Sequence, residues 1–284
     1  MRLEPPVESP ARLAAAYALL ATNGGWRPIA GGTDVMVEIS GDLSPPPERA
    51  LDIWHLDELR GIELVDGALV LGALTTYTEI RQSQLCRDHL PALVEAAATI
   101  GASQIQNRGT IGGNAVTASP AGDTLPLLLA TDAQLVLGSA RGERNVPAAE
   151  FWPAYRKTAR HPDELLLRIK VPLPGGRQVR FRKVGTRRAQ AISKVVMALA
   201  WREDGGVWRD VRVALGSVAP TPIRAAQTER VLEGAAPRQS TADHAASTLA
   251  GEIKPIDDVR STADYRRVVS ARILHRLLRE AGGW

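Results

Sequence analysis

The chain has 284 residues, 44% of them hydrophobic, which is enough for two or three domains with buried cores. A formal net charge of +4 and an aromatic content of 4% do not predict nucleic-acid binding. Cys86 is the single cysteine and the five histidines show no H-x-x-x-H spacing, so no disulfide, iron–sulfur cluster or other metal site is expected in this chain.

The N-terminal residues lack the apolar core of a signal peptide, and no later stretch has the length of a membrane span. The sequence therefore predicts a cytoplasmic protein. The first elements are expected to be a helix at residues 11–21 that ends at Asn23-Gly24-Gly25, a strand at 26–30, an element at 35–39 that fits either a strand or a short helix, an exposed loop at 42–48 and a strand at 51–54.

The middle of the chain reads as a mixture of hairpins and helices. Asp66-Gly67 predicts the turn of a hairpin over residues 62–72, and Thr75-Thr76 predicts a helix cap. Asp123 stands where it could cap a leucine-rich helix. Further expected elements are a helix at 90–100, strands at 133–137 and 165–171, and a turn at 141–144.

The cluster Pro172-Leu173-Pro174-Gly175-Gly176 predicts a domain boundary. Beyond it, the pattern indicates a strand at 179–184, a long apolar element at 192–201, a strand at 207–218 and two terminal helices. This order of elements is typical of a small α+β domain.

Two Gly-Gly segments carry the strongest functional signal: Ala30-Gly31-Gly32-Thr33-Asp34 and Thr110-Ile111-Gly112-Gly113-Asn114. Glycine allows close approach to a ligand, and successive backbone N–H groups in a turn can bind a phosphate. Two such loops favour a long cofactor that contains a diphosphate. The chain has no G-x-G-x-x-G after its first strand, no G-x-x-x-x-G-K-[ST] and no G-x-S-x-G, which argues against Rossmann, P-loop and hydrolase sites. No catalytic residue is predicted, because the cofactor would supply the chemistry.

Several longer segments resemble one known family. Residues 105–114 and 118–126, the loop at 30–34, and the segments 181–188 and 255–266 are similar to the FAD-binding medium subunit of the molybdenum hydroxylases. This family includes xanthine dehydrogenase, carbon monoxide dehydrogenase and aldehyde oxidoreductase. The resemblance covers nearly the whole chain, in order.

The resemblance implies an α+β fold. Two FAD-binding subdomains of the vanillyl-alcohol oxidase (PCMH) type, at 1–57 and 58–176, would precede a C-terminal domain at 177–284 with a three-stranded sheet and helices. It also implies two partners, a small subunit with [2Fe–2S] clusters and a large subunit with molybdopterin, in a dimer of heterotrimers. Electrons would pass through the clusters to FAD and on to NAD⁺, a quinone or O₂.

The form Gly-Gly-Thr-Asp of the first loop resembles purine and aldehyde dehydrogenases more than carbon monoxide dehydrogenases. Three other readings stay open: a carbon monoxide dehydrogenase-type medium subunit, an FAD-binding assembly or carrier protein without turnover, and a self-standing flavin oxidase.

By resemblance, two cradles hold the FAD diphosphate. Asp34 would shape the first loop by accepting backbone N–H bonds, and the hydroxyls of Thr117 and Ser119 could bond only their own turns. The residues assigned to the two cradles are Ile29, Ala30, Gly31, Gly32, Thr33 and Asp34, followed by Thr110, Ile111, Gly112, Gly113, Asn114, Thr117 and Ser119.

Further residues would contact the flavin end of FAD. The resemblance places Asp123 on the ribityl chain and Lys183 at the pyrimidine edge, with an N-cap and a solvated strand lysine as the alternatives. Ile100 and Leu166 would pack on the isoalloxazine, or only in the core. The chain departs from its relatives at Ser40, where lysine is frequent, and at Gln106, where arginine is common. Both departures remove a positive charge.

Overall fold

A computed structural model describes residues 5–22, 24–41, 45–187 and 190–284. The predictions for the first four residues, Asn23, residues 42–44 and Arg188 lie outside these ranges. Within the ranges the protein is built around three β-sheets, each of which organises one part of the chain.

The N-terminal part forms a parallel three-stranded sheet of order β1-β3-β2. Its elements are β1 (Val7–Glu8), α1 (Leu13–Ala21), β2 (Trp26–Ile29), α2 (Val35–Ser40) and β3 (Arg49–Asp52). Ala16 and Leu20 of α1 are buried in one core with Leu51 of β3. The segment that fitted either a strand or a helix is therefore a helix, and it begins directly after the first Gly-Gly loop.

The second part is an antiparallel five-stranded sheet of order β4-β5-β8-β6-β7, with short helices on it. The elements are β4 (Ile62–Val65), β5 (Ala68–Gly72), α3 (Tyr77–Gln82), α4 (Gln84–His89), α5 (Pro91–Ala98), α6 (Ser103–Arg108), α7 (Ile111–Thr117), α8 (Leu125–Ala130), β6 (Gln134–Ser139), β7 (Gly142–Pro147), α9 (Ala148–Phe151) and β8 (Leu165–Pro172). Asp66 and Gly67 both have positive φ, as the predicted hairpin turn requires. Thr76 and Glu79 form a reciprocal capping box at the start of α3. The turn predicted at 141–144 is shorter than expected, because Gly142 already pairs with Ser139.

The C-terminal part contains a four-stranded antiparallel sheet of order β12-β11-β10-β9 and three helices. The elements are β9 (Gln178–Val184), β10 (Val195–Asp204), β11 (Val207–Gly216), β12 (Ile223–Arg224), α10 (Ala226–Leu232), α11 (Gln239–Glu252) and α12 (Ala263–Gly282). The expected three-stranded sheet gains a two-residue edge strand, since Ile223 and Arg224 pair with β11. One more helix than predicted follows it. The long apolar element is strand β10, whose first seven residues are buried.

The second and third sheets share one hydrophobic core. Phe181 of β9 and Val196 of β10 are buried in the same cluster as the leucines of α8. This continuity fixes β9 beside the helices of the second sheet and so positions the functional site. No helix in the described ranges is long and apolar enough to cross a membrane.

Candidate cofactor-binding site

Both Gly-Gly segments line one cleft with a volume of about 810 Å³, within the range of small-molecule and cofactor sites. The Thr117 hydroxyl donates a hydrogen bond to Oδ2 of Asp34 across 2.9 Å, which joins the first segment to the last residue of α7, the helix that begins in the second segment. Asp34 thus shapes the loop by a side-chain contact, whereas bonds from backbone N–H groups were expected. Twelve of the predicted site residues line the cleft: Ala30, Gly31, Gly32, Thr33, Asp34, Ile100, Thr110, Gly112, Gly113, Asn114, Thr117 and Leu166.

The first segment presents open hydrogen-bond donors. Gly32 adopts a left-handed conformation with φ of 76°. Among the described residues, the N–H groups of Gly31, Gly32, Thr33 and Asp34 donate no hydrogen bond. Successive free amides around a left-handed residue form a concavity suited to an anion. The first loop therefore has the properties of a phosphate cradle.

The second segment is not an open loop but the first turn of α7. The Thr110 hydroxyl caps the helix by accepting from the N–H of Gly113 at 3.0 Å. The N–H groups of Ile111 and Gly112 donate to the carbonyls of Thr75 and Ala73, at 3.0 and 2.9 Å. Because the N–H of Asn114 also donates to Thr110, every amide of this turn is engaged within the protein. The second cradle of free amides that the sequence suggested is not present.

Glycine is nevertheless required in both segments, for packing. A Cβ on Gly112 would lie 2.5 Å from the carbonyl oxygen of Ala73. A Cβ on Gly31 would lie 1.7 Å from the carbonyl oxygen of Arg108, at the end of α6. These close approaches bring the backbones together and form the narrow base of the cleft.

The second segment contributes a side chain to the cleft. Oδ1 of Asn114 accepts from the Thr124 hydroxyl at 2.6 Å, which orients the amide. In the described part of the chain, the Asn114 amide nitrogen has no hydrogen-bond partner. It is therefore a donor available to a ligand.

An apolar wall completes the cleft, with Ile100 and Leu166 among its members. Nε2 of Gln106 donates to the Ile100 carbonyl at 3.0 Å, and Nζ of Lys183 donates to the Thr99 carbonyl at 3.0 Å. Gln106, one of the two departures from the pattern expected by resemblance, thus fixes the turn that presents Ile100. The Ser40 hydroxyl, the other departure, donates to the Met36 carbonyl of α2.

Asp123 and Lys183 form a buried ion pair that does not line the cleft. The Nζ–Oδ2 distance is 2.6 Å, and the two side chains are 11% and 8% exposed. Ser193 donates to the other carboxylate oxygen. Burial raises the pKa of Asp123, while the Lys183 ammonium opposes that rise. Asp123 is therefore no helix cap, since Thr124 precedes α8, and Lys183 is not a solvated lysine.

Three predicted residues lie away from the cleft opening. Ile29 is in β2 beside Asp52, and Ile111 is fully buried in the core. The Ser119 hydroxyl accepts from the N–H of Ala121 at 3.3 Å, so it bonds its own turn. None of these three side chains is presented to a ligand in the cleft.

The sequence did not identify the charged residues at the cleft: Arg27, Glu38, Arg156 and Arg160. Arg156 bonds Glu38 although 118 positions separate them, and it lies in an irregular segment with φ of 52°. No local pattern marks such a contact. Elsewhere in the described ranges, no group of three or more His, Cys, Asp or Glu side chains could hold a metal ion. Cys86 is buried, and burial raises the pKa of its thiol.

The cleft combines free amides, arginines and an apolar wall. It fits a ligand with an anionic part and a flat apolar part, because each part meets groups of complementary chemistry. A nucleotide cofactor with a diphosphate and an aromatic ring system has this composition.

Comparison with known proteins agrees with that description. Residues 3–174 match the family model described as "FAD binding domain in molybdopterin dehydrogenase", and residues 180–281 match "CO dehydrogenase flavoprotein C-terminal domain". The xanthine dehydrogenase FAD-binding subunit of Escherichia coli O157:H7 is 32% identical over 280 residues, with 96% of each chain covered. The glyceraldehyde dehydrogenase medium chain of Sulfolobus acidocaldarius is 33% identical over 254 residues, covering 89% of this chain and 90% of the other.

A solved structure is similar along almost the whole chain. The carbon monoxide dehydrogenase of Hydrogenophaga pseudoflava, in a form that lacks the Mo-pyranopterin moiety of its cofactor, superposes with a TM-score of 0.92 at 30% identity. The match covers 97% of this chain and 96% of that one.

Proposed function

The chain belongs to the family of FAD-binding medium subunits of molybdenum hydroxylases, and we propose that it passes electrons from a partner's [2Fe–2S] clusters to FAD and on to NAD⁺ or another acceptor. The observation that carries the proposal is the cleft. Its first Gly-Gly segment has four backbone amides without a partner among the described residues, and its apolar wall includes Ile100 and Leu166. Bound FAD would accept electrons singly and release them as a pair.

The residues of this chain would bind and orient the cofactor. The amides of Gly31 to Asp34 would donate to the diphosphate, and the Asn114 amide would donate from the opposite wall. Ile100 and Leu166 would pack against the ring system and exclude water from it. Thr110, through its capping hydroxyl, and Gly112, through its close packing on Ala73, would act indirectly by fixing the position of α7.

Lys183 and Asp123 would act from behind the apolar wall that contains Ile100. The Lys183 ammonium holds the Thr99 carbonyl and so lies beside Ile100. Because Asp123 balances the charge of Lys183, the pair would act on a neighbouring ring by holding the turn that presents Ile100 rather than by net charge. No residue needs to act as a general base, because the residues only bind and tune the cofactor.

We propose two partners, a small [2Fe–2S] subunit and a large molybdopterin subunit, in a dimer of heterotrimers. The names of the relatives, which are subunits or medium chains, support the assignment. The single cysteine also agrees, because a [2Fe–2S] cluster needs more ligands than this chain could give. The domain limits 1–57, 58–176 and 177–284 stay a prediction, as does the cytoplasmic location. Each of the three sheets falls within one of those ranges.

A purine or an aldehyde is the proposed substrate at the partner's molybdenum. The Gly-Gly-Thr-Asp loop and the likeness to xanthine and glyceraldehyde dehydrogenase subunits support it. Carbon monoxide is the second candidate, since the likeness to carbon monoxide dehydrogenase is of similar strength.

The test is co-expression of the chain with the products of adjacent genes, followed by cofactor analysis and stopped-flow reduction. We expect one FAD per chain and reduction of that FAD by hypoxanthine or glyceraldehyde, with NAD⁺ reoxidising it. A purified complex without FAD would refute the proposal. FAD that substrate cannot reduce would favour the carrier protein, and reduction by carbon monoxide alone would favour the second candidate.

A further inference from the structure

A group of three charged side chains closes one side of the cleft. Oε2 of Glu38 accepts from Nη2 of Arg27 at 2.6 Å, and Oε1 accepts from Nη1 of Arg156 at 2.9 Å. Arg27 is in β2 and Glu38 in α2 of the N-terminal part, whereas Arg156 follows α9 in the second part of the chain. One carboxylate therefore holds two arginines from separate parts of the chain at the same place.

The charges that line the cleft are not balanced. They comprise three arginines and two carboxylates, Asp34 and Glu38. Among the described residues, the third cation, Arg160, donates hydrogen bonds only to carbonyl oxygens, those of His161, Pro162 and Glu164. Burial lowers the pKa of Arg160, although the nearby carboxylates of Glu164 and Asp163 oppose part of that change. An excess of positive charge thus faces the cleft.

The three-residue group lies next to the free amides of the first loop. Glu38 is one helical turn beyond Asp34, and its N–H donates to the Asp34 carbonyl at 2.9 Å. The hydrogen bond from Arg27, helped by the one from Arg156, lowers the pKa of Glu38, which is charged at neutral pH. The carboxylate therefore stands as an anion beside an anion-binding loop.

We propose that Arg27 and Arg156 bind the diphosphate of FAD, and that Glu38 is an internal anion which the diphosphate replaces. This inference rests on the proposed function, in which the cleft binds FAD. A diphosphate carries more charge than a carboxylate and offers more oxygens to two guanidinium groups. Glu38 keeps the arginines in position before the cofactor arrives, and it competes with the cofactor for them.

Two substitutions that break the same ion pair distinguish this role from a structural one. Arg156→Gln removes a ligand of the diphosphate, so we expect FAD to bind about tenfold more weakly. Glu38→Gln removes the competing anion, so we expect FAD to bind about threefold more tightly. A purely structural ion pair predicts that both substitutions shift the affinity in the same direction.

The measurement is flavin titration of the full, flavin-free chain, followed by fluorescence, with FAD and with riboflavin, which has no phosphate. No acceptor dinucleotide is present, so only the cofactor's own phosphates can respond. Arg276→Gln is the matched control, because Arg276 pairs with Glu280 on the distant helix α12. Arg156→Lys should restore part of the affinity, and circular dichroism verifies that each variant is folded.

Opposite shifts for FAD, with riboflavin affinity unchanged, support the proposal. Shifts in the same direction, or equal shifts for FAD and riboflavin, overturn it. If the wild-type chain binds FAD but neither variant changes its affinity, the arginines are not ligands and the proposed function stands. If the wild-type chain binds no FAD, the proposed function itself fails.

Discussion

The two Gly-Gly segments share a dipeptide and a cleft, but they differ in what their amides do. In the first, four successive N–H groups have no partner among the described residues, and Gly32 is left-handed. In the second, every amide from Ile111 to Asn114 is bonded within the protein, and Gly112 packs on Ala73. The backbone amides of one wall, called here the complete wall, are satisfied without a ligand, whereas those of the other, the incomplete wall, have hydrogen bonds still to form.

This difference shows that a glycine pair can serve a ligand or the fold. On the complete wall, further hydrogen bonds within the protein extend from α7 into its surroundings. They join Asn114 to Thr124 and Asp123 to Lys183. Changes there should therefore reduce stability first and cofactor binding as a result. Changes on the incomplete wall should reduce cofactor binding with little loss of stability, except at Gly31, where a Cβ would clash with the Arg108 carbonyl.

The largest effect is expected at the buried ion pair behind the complete wall. Lys183→Met leaves the Asp123 carboxylate without its cation, and we expect the free energy of unfolding to fall by about 3 kcal/mol. Urea unfolding at neutral pH measures it. The double variant Lys183→Met with Asp123→Asn should recover part of the loss, because the unpaired charge is gone. A double variant as unstable as the single one would contradict this explanation.

Gly112→Ala should have the next largest effect. The added Cβ would meet the carbonyl oxygen and Cβ of Ala73 at 2.5 and 2.7 Å, and we expect a loss of about 2 kcal/mol. Thermal unfolding followed by circular dichroism is the measurement. Gly251→Ala is the control, since no atom lies within 4 Å of its added Cβ, and it should be neutral or stabilising. An unchanged thermal midpoint for Gly112→Ala would contradict the proposal that the packing of α7 on Ala73 stabilises the protein.

Gly32→Val tests the incomplete wall. Because φ is 76°, valine is strained there by about 1 kcal/mol, and its branched side chain enters the cradle. We expect the purified variant to lose most of its flavin while its thermal midpoint falls less than that of Gly112→Ala. The matched control is Gly176→Val, which has φ of 77° and open space around it, and should keep its flavin. Equal flavin contents in the two variants would show that the first loop is not the cradle.

The smallest expected effect is on the pH dependence of stability, to which Glu38 and Asp123 should contribute with opposite signs. The pKa of Glu38 is lowered, so its contribution to stability is present above the ordinary value of 4.5 and is lost as pH falls through the folded-state pKa. The pKa of Asp123 is raised, so its contribution is present below 3.8 and is lost as pH rises through its folded-state pKa. We would measure the thermal midpoints of wild type and of both variants between pH 3 and 7. As pH rises, the midpoint of wild type relative to Glu38→Gln should increase, whereas that of wild type relative to Asp123→Asn should decrease.

Local patterns predicted much of the fold. The Asp66-Gly67 turn, the Thr76 cap and the strand at 165–171 each depend on neighbours in sequence, and all three occur as expected. The first loop was also recognisable, since a left-handed glycine after a strand is a local feature. The clustering of both Gly-Gly segments at one cleft followed from the resemblance rather than from any single pattern.

Tertiary contacts decided what the sequence could not. Gly112 and Gly113 disfavour a helix, but packing on Ala73 and the Thr110 cap outweigh that propensity. Asp123 was a reasonable helix cap by position, yet its carboxylate forms an ion pair with Lys183, 60 positions away. Contacts of this range leave no periodic trace in a single sequence.

The reach of Lys183 also limits how this protein can be recombined with its relatives. A chimera joined at the linker between residues 172 and 176 would take the lysine from one parent and its partners, Asp123 and the Thr99 carbonyl, from the other. Arg182 adds a contact across the same junction, to Glu95 of α5. The linker that looks like the natural crossover point therefore separates residues that must be inherited together, and a functional chimera has to match the parents at these positions.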